Sequence, residues 1–269
     1  MALNAKLHIE TALRNDKTIL KNSFCTPPFK IADVTADKQL NSLQLMLMSS
    51  SPGILDGDAY HLQIDLAKKC SLELKTQSYQ RLFQMKKGAK QFLNLNLEEG
   101  SSFVYIPHPL VPHYNSVFLS KNKIVMNENC SLTWGEVMSC GRKLNGEVFK
   151  FSSFHSVTEI FFRERLVVKE NIVMKPNEVN LRLTGQLEGY THQASLVFIN
   201  KAADVDKGKE SVLEFLQQQE NIQFGASALP VNGMIVRLLG YKAEQLFDLL
   251  NNVSVLLSHQ RIKEPSYVA

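Results

Sequence analysis

The side chains best suited to chemistry are carboxylates and an imidazole that gather around one turn. Asp56, Asp58, His61 and Asp65 lie within a single short stretch that also contains Gly57. Carboxylate and imidazole ligands suit borderline divalent ions, so a weak metal site is chemically reasonable there. The paired ligand spacing of a structural zinc site is missing, and solvated turn carboxylates explain the same pattern. The stretch therefore indicates at most a loosely held metal ion.

Two further groups could bind a metal, but each has a simpler explanation. His108 and His113 flank a segment with three prolines, which cannot lie in a central strand and so predicts an exposed rim. Cys130 and Cys140, like Cys25 and Cys70, lack a CxxC spacing and are typical of reduced thiols in a cytoplasmic protein. We assign no metal ligand and no permanently bound cofactor from these residues.

No catalytic signature is present in the sequence. The phosphate-binding, dinucleotide-binding, zinc-protease and nucleophile-elbow motifs are all missing. The alternative is a stacked β hydrolase or lyase acting on polysaccharide, which as a glycosidase would need two carboxylates about 5–10 Å apart. Its candidate acids are Asp56, Asp58, Asp65 and Glu136, but Leu, Ile and Val rather than stacking aromatic residues fill the predicted strands. The residue patterns alone therefore identify no enzyme and leave the polysaccharide alternative open.

A strand-turn-strand unit that recurs along the chain must position these side chains. Alternating apolar residues mark its strands at Leu62–Leu66 and Leu72–Leu74, and again after two later turns. The serines that follow the turns, Ser71, Ser102 and Ser131, lie 31 and 29 residues apart. A unit repeated at this interval favours sheets stacked layer on layer, like a β-helix. Three ordinary hairpins of a β-sandwich are the alternative.

Two to three helices accompany the predicted sheets. Thr133 and Glu136 have the spacing of a capping box, which predicts a short helix over 134–144 that Gly141 weakens. Ser211 and Glu214 have the same spacing and predict a helix over 211–219. The clearest signal is an apolar stripe in the predicted helix over 242–262, formed by Leu246, Leu249, Leu250, Val253 and Leu257. We therefore predict a mostly β fold in a single domain, 1–269.

Composition sets broad limits on the function. The chain has 269 residues, of which 44% are hydrophobic and 21% charged, and this balance argues against disorder. Its net charge of +4 comes from scattered Lys and Arg, so we expect no nucleic-acid partner. No apolar stretch approaches the roughly 18 residues needed to span a bilayer, and the N-terminus lacks a signal-peptide core. We expect a cytoplasmic protein without a membrane partner.

Two residues near the predicted helix over 134–144 point to protein partners. Trp134 is the only tryptophan, and Arg142 lies in the same segment. Trp and Arg are enriched among the residues that anchor protein interfaces. We therefore predict Trp134 and Arg142 as candidate partner-interface residues; the alternative is a tryptophan that plugs the core above the end of a sheet.

Short motifs follow one another along most of the chain, from Phe29 to Arg261. They are Ser51-Pro52-Gly53, Gly57-Asp58, Thr76-Gln77, Pro107-x-Pro109, Leu132-x-Trp134-x-Glu136, Gly141-Arg142, Gly146-Glu147-x-Phe149 and Asn232-Gly233-x-x-Val236-Arg237-x-Leu239-Gly240. No single motif is specific, but the ordered set resembles the UreD/UreH family of urease accessory proteins and is closest to the UreH branch of Helicobacter-like bacteria. Ile54 stands where relatives commonly carry a second glycine, and Ser78-Tyr79 replaces small residues often seen there.

The resemblance implies a non-catalytic scaffold with an all-β, helix-like stack and two helices. Such a protein would join a helical UreF-type partner and a UreG-type GTPase, form a dimeric assembly through the UreF-type partner, and deliver nickel to apo-urease. The ion would be handled transiently along a polar path through the protein body. The positions that match such a path are Asp58, Thr76 and Glu136. A metal-independent structural adaptor is a further alternative.

Overall fold

The structure is a computed structural model that describes residues 2–258. Most elements are strands, and the two α-helices lie in the C-terminal part. The strands are β1 (Asn4–Arg14), β2 (Lys17–Cys25), β3 (Phe29–Asp33), β4 (Leu43–Ser49), β5 (Ala59–Leu66), β6 (Ser71–Thr76), β7 (Gln80–Leu82), β8 (Ala89–Leu97), β9 (Ser102–Tyr105), β10 (Leu110–Pro112), β11 (Val117–Met126), β12 (Ser131–Met138), β13 (Ser153–Phe162), β14 (Arg165–Met174), β15 (His192–Asn200), β16 (Ile222–Ala228) and β17 (Gly233–Gly240). The helices are α1 (Val205–Gln217), α2 (Ala243–Ser258) and a short 3-10 helix, Lys143–Asn145.

The strands form two sheets between which the chain alternates. The seven-stranded sheet has the order β14-β13-β11-β8-β5-β1-β2. The ten-stranded sheet has the order β16-β17-β15-β12-β9-β6-β4-β3, with β7 and β10 attached beside it. Neighbouring strands run parallel from β1 to β13 in the first sheet and from β4 to β12 in the second. Consecutive passes of the chain therefore stack as layers, and the β-helix-like prediction is confirmed.

The register between layers follows the sequence repeat residue for residue. Ser102 pairs with Ser71 on one side and with Ser131 on the other. In the facing sheet, Leu95 pairs with Ile64 and with Ile124. These three aliphatic side chains are fully buried, and burying each contributes about 1.5–3 kcal/mol. The predicted layers are thus held in register by stacked apolar rows between the two sheets.

A second core lies on the opposite face of the ten-stranded sheet. Strands β15 and β17 send alternate residues outward, where α1 and α2 cover them. The predicted stripe of α2 is buried at every one of its positions, Leu246, Leu249, Leu250, Val253 and Leu257. The C-terminal helix is therefore confirmed as far as Ser258; its predicted extension over 259–262 lies outside the described residues.

The helix predicted over 134–144 is wrong. Residues Ser131–Met138 form β12, and only the short 3-10 helix Lys143–Asn145 follows. Strand β12 pairs with β15 along its full length and with β9 over Ser131–Trp134, so its backbone hydrogen bonds are made between strands. The Glu136 carboxylate does not cap a helix and instead accepts hydrogen bonds from side chains in the interior. Long-range pairing thus overrides the local capping pattern.

The helix predicted over 211–219 begins earlier than expected. Helix α1 starts at Val205, and the carboxylate of Asp204 accepts a hydrogen bond from the backbone N–H of Lys207, 3.3 Å away. Ser211 lies inside the helix, where its hydroxyl donates to the carbonyl of Lys207. Aspartate is a preferred N-cap because its oxygen satisfies a free amide of the first turn.

Two further findings concern the whole described chain. No helix among residues 2–258 is long and apolar enough to cross a membrane. The four cysteines are free thiols, of which only Cys25 is exposed.

Candidate functional site

The interior of the β-helix changes from apolar to polar between successive layers. Leu93 pairs with Asn122 in the next layer, and Asn122 pairs with Thr158 in the layer after it. Thr158 in turn pairs with Glu170. Paired residues of neighbouring strands point to the same face of a sheet. This inward row therefore begins with the side chain of Leu93 and continues with an amide (Asn122), a hydroxyl (Thr158) and a carboxyl group (Glu170) in the layers that follow.

The facing sheet presents a second polar row to the same space. Glu136 pairs with Ser195, and Ser195 pairs with Arg237. The Glu136 carboxylate accepts hydrogen bonds across the interior from Asn122 Nδ2 at 3.2 Å and from Thr158 Oγ1 at 3.1 Å. These hydrogen bonds connect the two sheets across the interior at Asn122, Thr158 and Glu136.

The environment of Glu136 favours a cation without supplying one. Besides Asn122 and Thr158, its donors are the Trp134 indole at 3.3 Å and the Ser156 hydroxyl at 3.4 Å, all of them neutral. Burial raises the pKa of the Glu136 carboxyl, and the hydrogen bonds from Thr158 and Trp134 oppose this rise. No ion pair joins Glu136 to a Lys or Arg within residues 2–258. Neutral donors hold the carboxyl group in place, and a cation that entered the cavity would favour its charged form.

Glu136 faces the first of two adjoining cavities. This cavity has a volume of about 450 Å³ and is lined by residues of both sheets, including Ser120, Asn122, Ser156 and Glu136. Arg237 and Glu170 form an ion pair at its edge. The Arg237 side chain is 61% exposed and that of Glu170 is 13% exposed. The pair therefore marks the place where the polar interior meets the surface.

The second cavity lies toward the turn that carries Ser51 and Gly53. It has a volume of about 100 Å³, and Tyr60, Thr76 and Tyr79 help to line it. Five residues line both cavities and form their shared wall: Gln80, Gln91, Tyr105, Pro107 and His108. We call the two cavities together the interior path. Their linings together extend from the turn at Gly53 to the ion pair of Arg237 and Glu170.

A row of polar side chains follows the interior path from layer to layer. Tyr60 pairs with Gln91, Gln91 with Ser120, and Ser120 with Ser156. Gln80 Nε2 donates to Gln91 Oε1 at 3.1 Å. The path thus offers oxygen atoms in each layer that it crosses.

The three predicted path residues occupy different positions relative to this space. Glu136 lines the first cavity and Thr76 the second. Asp58 is 1% exposed and accepts hydrogen bonds from the backbone N–H groups of Leu3 and Leu55, at 2.8 and 2.9 Å. It touches the path only through the hydroxyl of Tyr60, 3.4 Å away. Asp58 therefore stabilises the first layer through hydrogen bonds to the backbone. Its assignment to a nickel path stays a prediction.

His108 also lines both cavities, although no motif in the sequence predicted this. Thr76 Oγ1 accepts a hydrogen bond from the backbone N–H of His108 at 2.8 Å and lies 3.0 Å from its Nδ1. The His108 ring stacks on Phe247 of α2, with 4.6 Å between ring centroids. Thr76 and His108 are 32 residues apart, close to the repeat interval. That spacing is the signal that could have placed them in adjacent layers.

The structure separates the two predicted interface residues. Trp134 is 4% exposed and packs on Tyr105, with 5.0 Å between ring centroids. Its indole lies in the interior, as the alternative of a core tryptophan expects, and its assignment to a partner interface stays a prediction. Arg142 lies on the surface, where Nε and Nη2 donate to the Glu147 carboxylate. The Glu147 carboxylate also accepts from the backbone N–H of Tyr114 at 3.1 Å.

The ligand clusters suggested by the sequence are dispersed. Asp56 accepts from three consecutive backbone N–H groups, those of residues 86–88. His61 stacks on Phe92, and Asp65 bonds to His8 at 2.8 Å on the outer face. Within residues 2–258, no three His, Cys, Asp or Glu side chains converge in a way that could hold a metal ion. Of the four acids considered for polysaccharide cleavage, only Glu136 lines a cavity of the interior path.

Known proteins are similar in sequence to this chain over most of its length. Residues 3–269 match the family described as UreD urease accessory protein. Urease accessory protein UreD of Flavobacterium johnsoniae is 47% identical over 249 residues, covering 92% of this chain and 90% of that protein. The UreD proteins of Haemophilus influenzae and Acetivibrio thermocellus are 38% and 34% identical, over 95% and 94% of this chain and 99% and 97% of their own lengths. The similarity therefore extends over nearly the full length of each relative.

Proposed function

The chain belongs to the UreD family of urease accessory proteins, and we propose from this premise that it is a scaffold through which nickel reaches apo-urease. Family membership confirms the resemblance drawn from the sequence and the prediction of an accessory rather than a catalytic protein. It supports a role in urease maturation. The likeness to the Helicobacter-type branch stays a prediction.

The observation that carries the nickel part of the proposal is the interior path. A protein that only needed stability would continue the apolar row of Leu93, because burying polar groups costs free energy unless every one is hydrogen-bonded. Instead, amide, hydroxyl and carboxyl oxygens that could coordinate a cation line the path in successive layers. No Lys or Arg among the described residues pairs with the Glu136 carboxylate. These features support passage of a cation through the protein.

Weak ligands suit passage better than a closed site. Each position must offset part of the ion's lost hydration and still release the ion to the next position, as conduction requires in a channel. A tetrahedral cluster of Cys and His would hold nickel too firmly to pass it on. A path of single carboxylates, hydroxyls and amides fits transient handling of nickel without a permanently bound cofactor.

We further propose that the surface around Arg142 contacts a partner. The pair of Arg142 and Glu147 closes a loop whose tip, Leu144, is fully exposed. Gly141 lies at the base of the loop with φ of +123°, a conformation that side chains with a Cβ rarely adopt. A leucine displayed on a braced loop is available to fill an apolar pocket on another protein. The partners expected are a UreF-type helical protein, through which a dimeric assembly would form, a UreG-type GTPase and apo-urease, all in the cytoplasm.

The proposal is tested by co-expression and reconstitution. The chain is co-expressed with the UreF-type partner, isolated by pull-down, and added with the UreG-type GTPase, GTP and nickel to apo-urease. We expect a stable pair and urease activation that is lost when this chain is omitted. A chain that ignores the partner and leaves activation unchanged would overturn the proposal. If the pair forms but variants along the interior path transfer nickel normally, the chain is a metal-independent adaptor.

A further inference from the structure

The shared wall of the two cavities contains one side chain with nitrogen chemistry suited to nickel. We propose that His108 binds nickel as the ion passes between the cavities, and that its imidazole makes the interior path selective for nickel over Mg²⁺ and Ca²⁺. The inference rests on the proposed function, because it names the residue that recognises the cargo at that same site.

The chemistry of the shared wall leads to His108. Gln80, Gln91 and Tyr105 offer amide and phenol groups, and Pro107 offers no side-chain ligand. Neutral oxygen donors suit hard ions such as Mg²⁺ and Ca²⁺, whereas imidazole suits nickel, copper and zinc. Without His108 the wall would therefore not distinguish nickel from the far more abundant hard ions. The imidazole of His108 gives the path a preference for nickel over Mg²⁺ and Ca²⁺.

The geometry around His108 resembles that of a metal-binding histidine. Such residues donate one ring N–H to a neighbouring acceptor, which fixes the tautomer and directs the other nitrogen to the metal. Thr76 Oγ1 lies 3.0 Å from Nδ1, and the same oxygen accepts the backbone N–H of His108 at 2.8 Å. The tautomer with its proton on Nδ1 donates to Thr76 Oγ1 and leaves the lone pair of Nε2 for the ion, so nickel binding would select this tautomer.

A further contact prepares the ring for this role. Stacking on Phe247, at 4.6 Å and an interplanar angle of 25°, fixes the plane of the imidazole. In this arrangement Thr76 acts on nickel through His108, as a positioning residue.

A second histidine provides a matched control. His61 also stacks on an aromatic ring, that of Phe92, with 5.2 Å between centroids and an interplanar angle of 18°. It belongs to the outward-facing side of β5 and lines neither cavity of the interior path. A comparison of His108 with His61 therefore separates binding at the shared wall from adventitious binding by any stacked imidazole.

The test is a nickel titration of the full chain labelled in its histidine rings, followed by NMR in a large excess of Mg²⁺. Paramagnetic Ni²⁺ broadens the signals of nuclei close to it, and the variants His108→Asn and His61→Asn assign the two rings. We expect the His108 signal to broaden at a nickel concentration that leaves His61 unchanged, and Mg²⁺ not to reverse the effect. Thr76→Val should weaken nickel binding by about 10-fold, the lower end of the effect of losing an outer-shell partner.

The outcomes separate this inference from the proposed function. Equal broadening of all histidines, or reversal by Mg²⁺, would overturn the role of His108. If the wild-type chain also fails to support urease activation, the proposed function fails as well; if activation is intact, only the inference fails. Because His108→Asn could disturb the packing on Phe247, Thr76→Val tests the same claim with the imidazole retained. Unchanged nickel affinity in that variant would contradict the positioning role of Thr76.

Discussion

Asn122 Nδ2 donates a hydrogen bond to Glu136 Oε1 across the interior of the β-helix, over a distance of 3.2 Å. The two residues lie on β11 and β12, strands that are consecutive in the chain but belong to opposite sheets. The same Asn122 amide donates to Thr158 Oγ1 at 2.9 Å. The polar part of the interior is thus a connected network, and polar groups buried in this way are stable only when their hydrogen bonds are made.

The turn that begins the first layer should depend on Gly53. A Cβ at this position would overlap the carbonyl oxygen of Arg81 and would lie 2.8 Å from Cε2 of Phe83. Gly53→Ala should therefore lower the free energy of unfolding by about 1–3 kcal/mol, as overpacking does elsewhere. Urea denaturation measures the change from the shift in midpoint at constant slope.

Gly225→Ala is the control for this substitution. Nothing lies within 4 Å of the Cβ position at Gly225, which is part of β16. We expect its free energy of unfolding to stay within about 0.5 kcal/mol of the wild-type value. Equal stability of the two variants would show that the turn at Gly53 is not sterically constrained.

The ion pair at the base of the Leu144 loop predicts a dependence of stability on pH. The hydrogen bond from Arg142 lowers the pKa of the Glu147 carboxyl below its ordinary value. Since the folded state has the lower pKa, the pair stabilises the protein above the unfolded pKa of about 4.3, and this stability is lost as the pH falls through the folded pKa. Glu147→Gln should melt below the wild type at pH 7, and the two melting temperatures should converge in acid. A gap that persists or widens in acid would contradict this assignment.

The surface of the same loop should control partner binding more than folding. Arg142→Ala and Leu144→Asp should each weaken retention of the UreF-type partner by about 10-fold, the effect of removing an interface residue worth roughly 1.4 kcal/mol. Arg163→Ala is the matched control, because Arg163 forms a similarly exposed ion pair with Glu128 at 2.7 Å. Pull-down of purified variants measures the effect. Normal retention of the UreF-type partner by Arg142→Ala and Leu144→Asp would show that the interface is not at this loop.

The layered part of the fold could be predicted because each layer repeats in the sequence. The interval between Ser71, Ser102 and Ser131 gives the register of three neighbouring strands directly. The stripe from Leu246 to Leu257 predicts α2 for a similar reason, since an amphipathic period records which face is buried. In both places the local pattern and the long-range packing agree.

The interior path could be predicted only in part. Glu136 and Thr76 were found from motif positions, but the segment of Trp134 was assigned to a helix because its capping pattern is local, whereas the pairing with β9 and β15 is not. The burial of Trp134 follows from that pairing. His108 was missed because its neighbour Thr76 lies one layer away, and only the repeat interval connects them. Contacts between polar residues of adjacent layers can be predicted from the sequence only if the repeat interval is used to align polar positions as well as apolar ones.

Passage of nickel through the interior of this protein to urease is tested by Glu136→Gln. The substitution keeps the size of the side chain and an acceptor for Asn122 and Thr158, but removes the ability of this position to carry a negative charge beside a cation. Glu99→Gln is the control, since Glu99 pairs with Lys68 at 3.2 Å and neither residue lines a cavity of the interior path. The measurement is the nickel content of urease after reconstitution with each variant under identical conditions. We expect Glu136→Gln to lower nickel incorporation by about 10-fold or more and Glu99→Gln to leave it unchanged. Equal nickel content with the two variants, in complexes that form equally well, would contradict it.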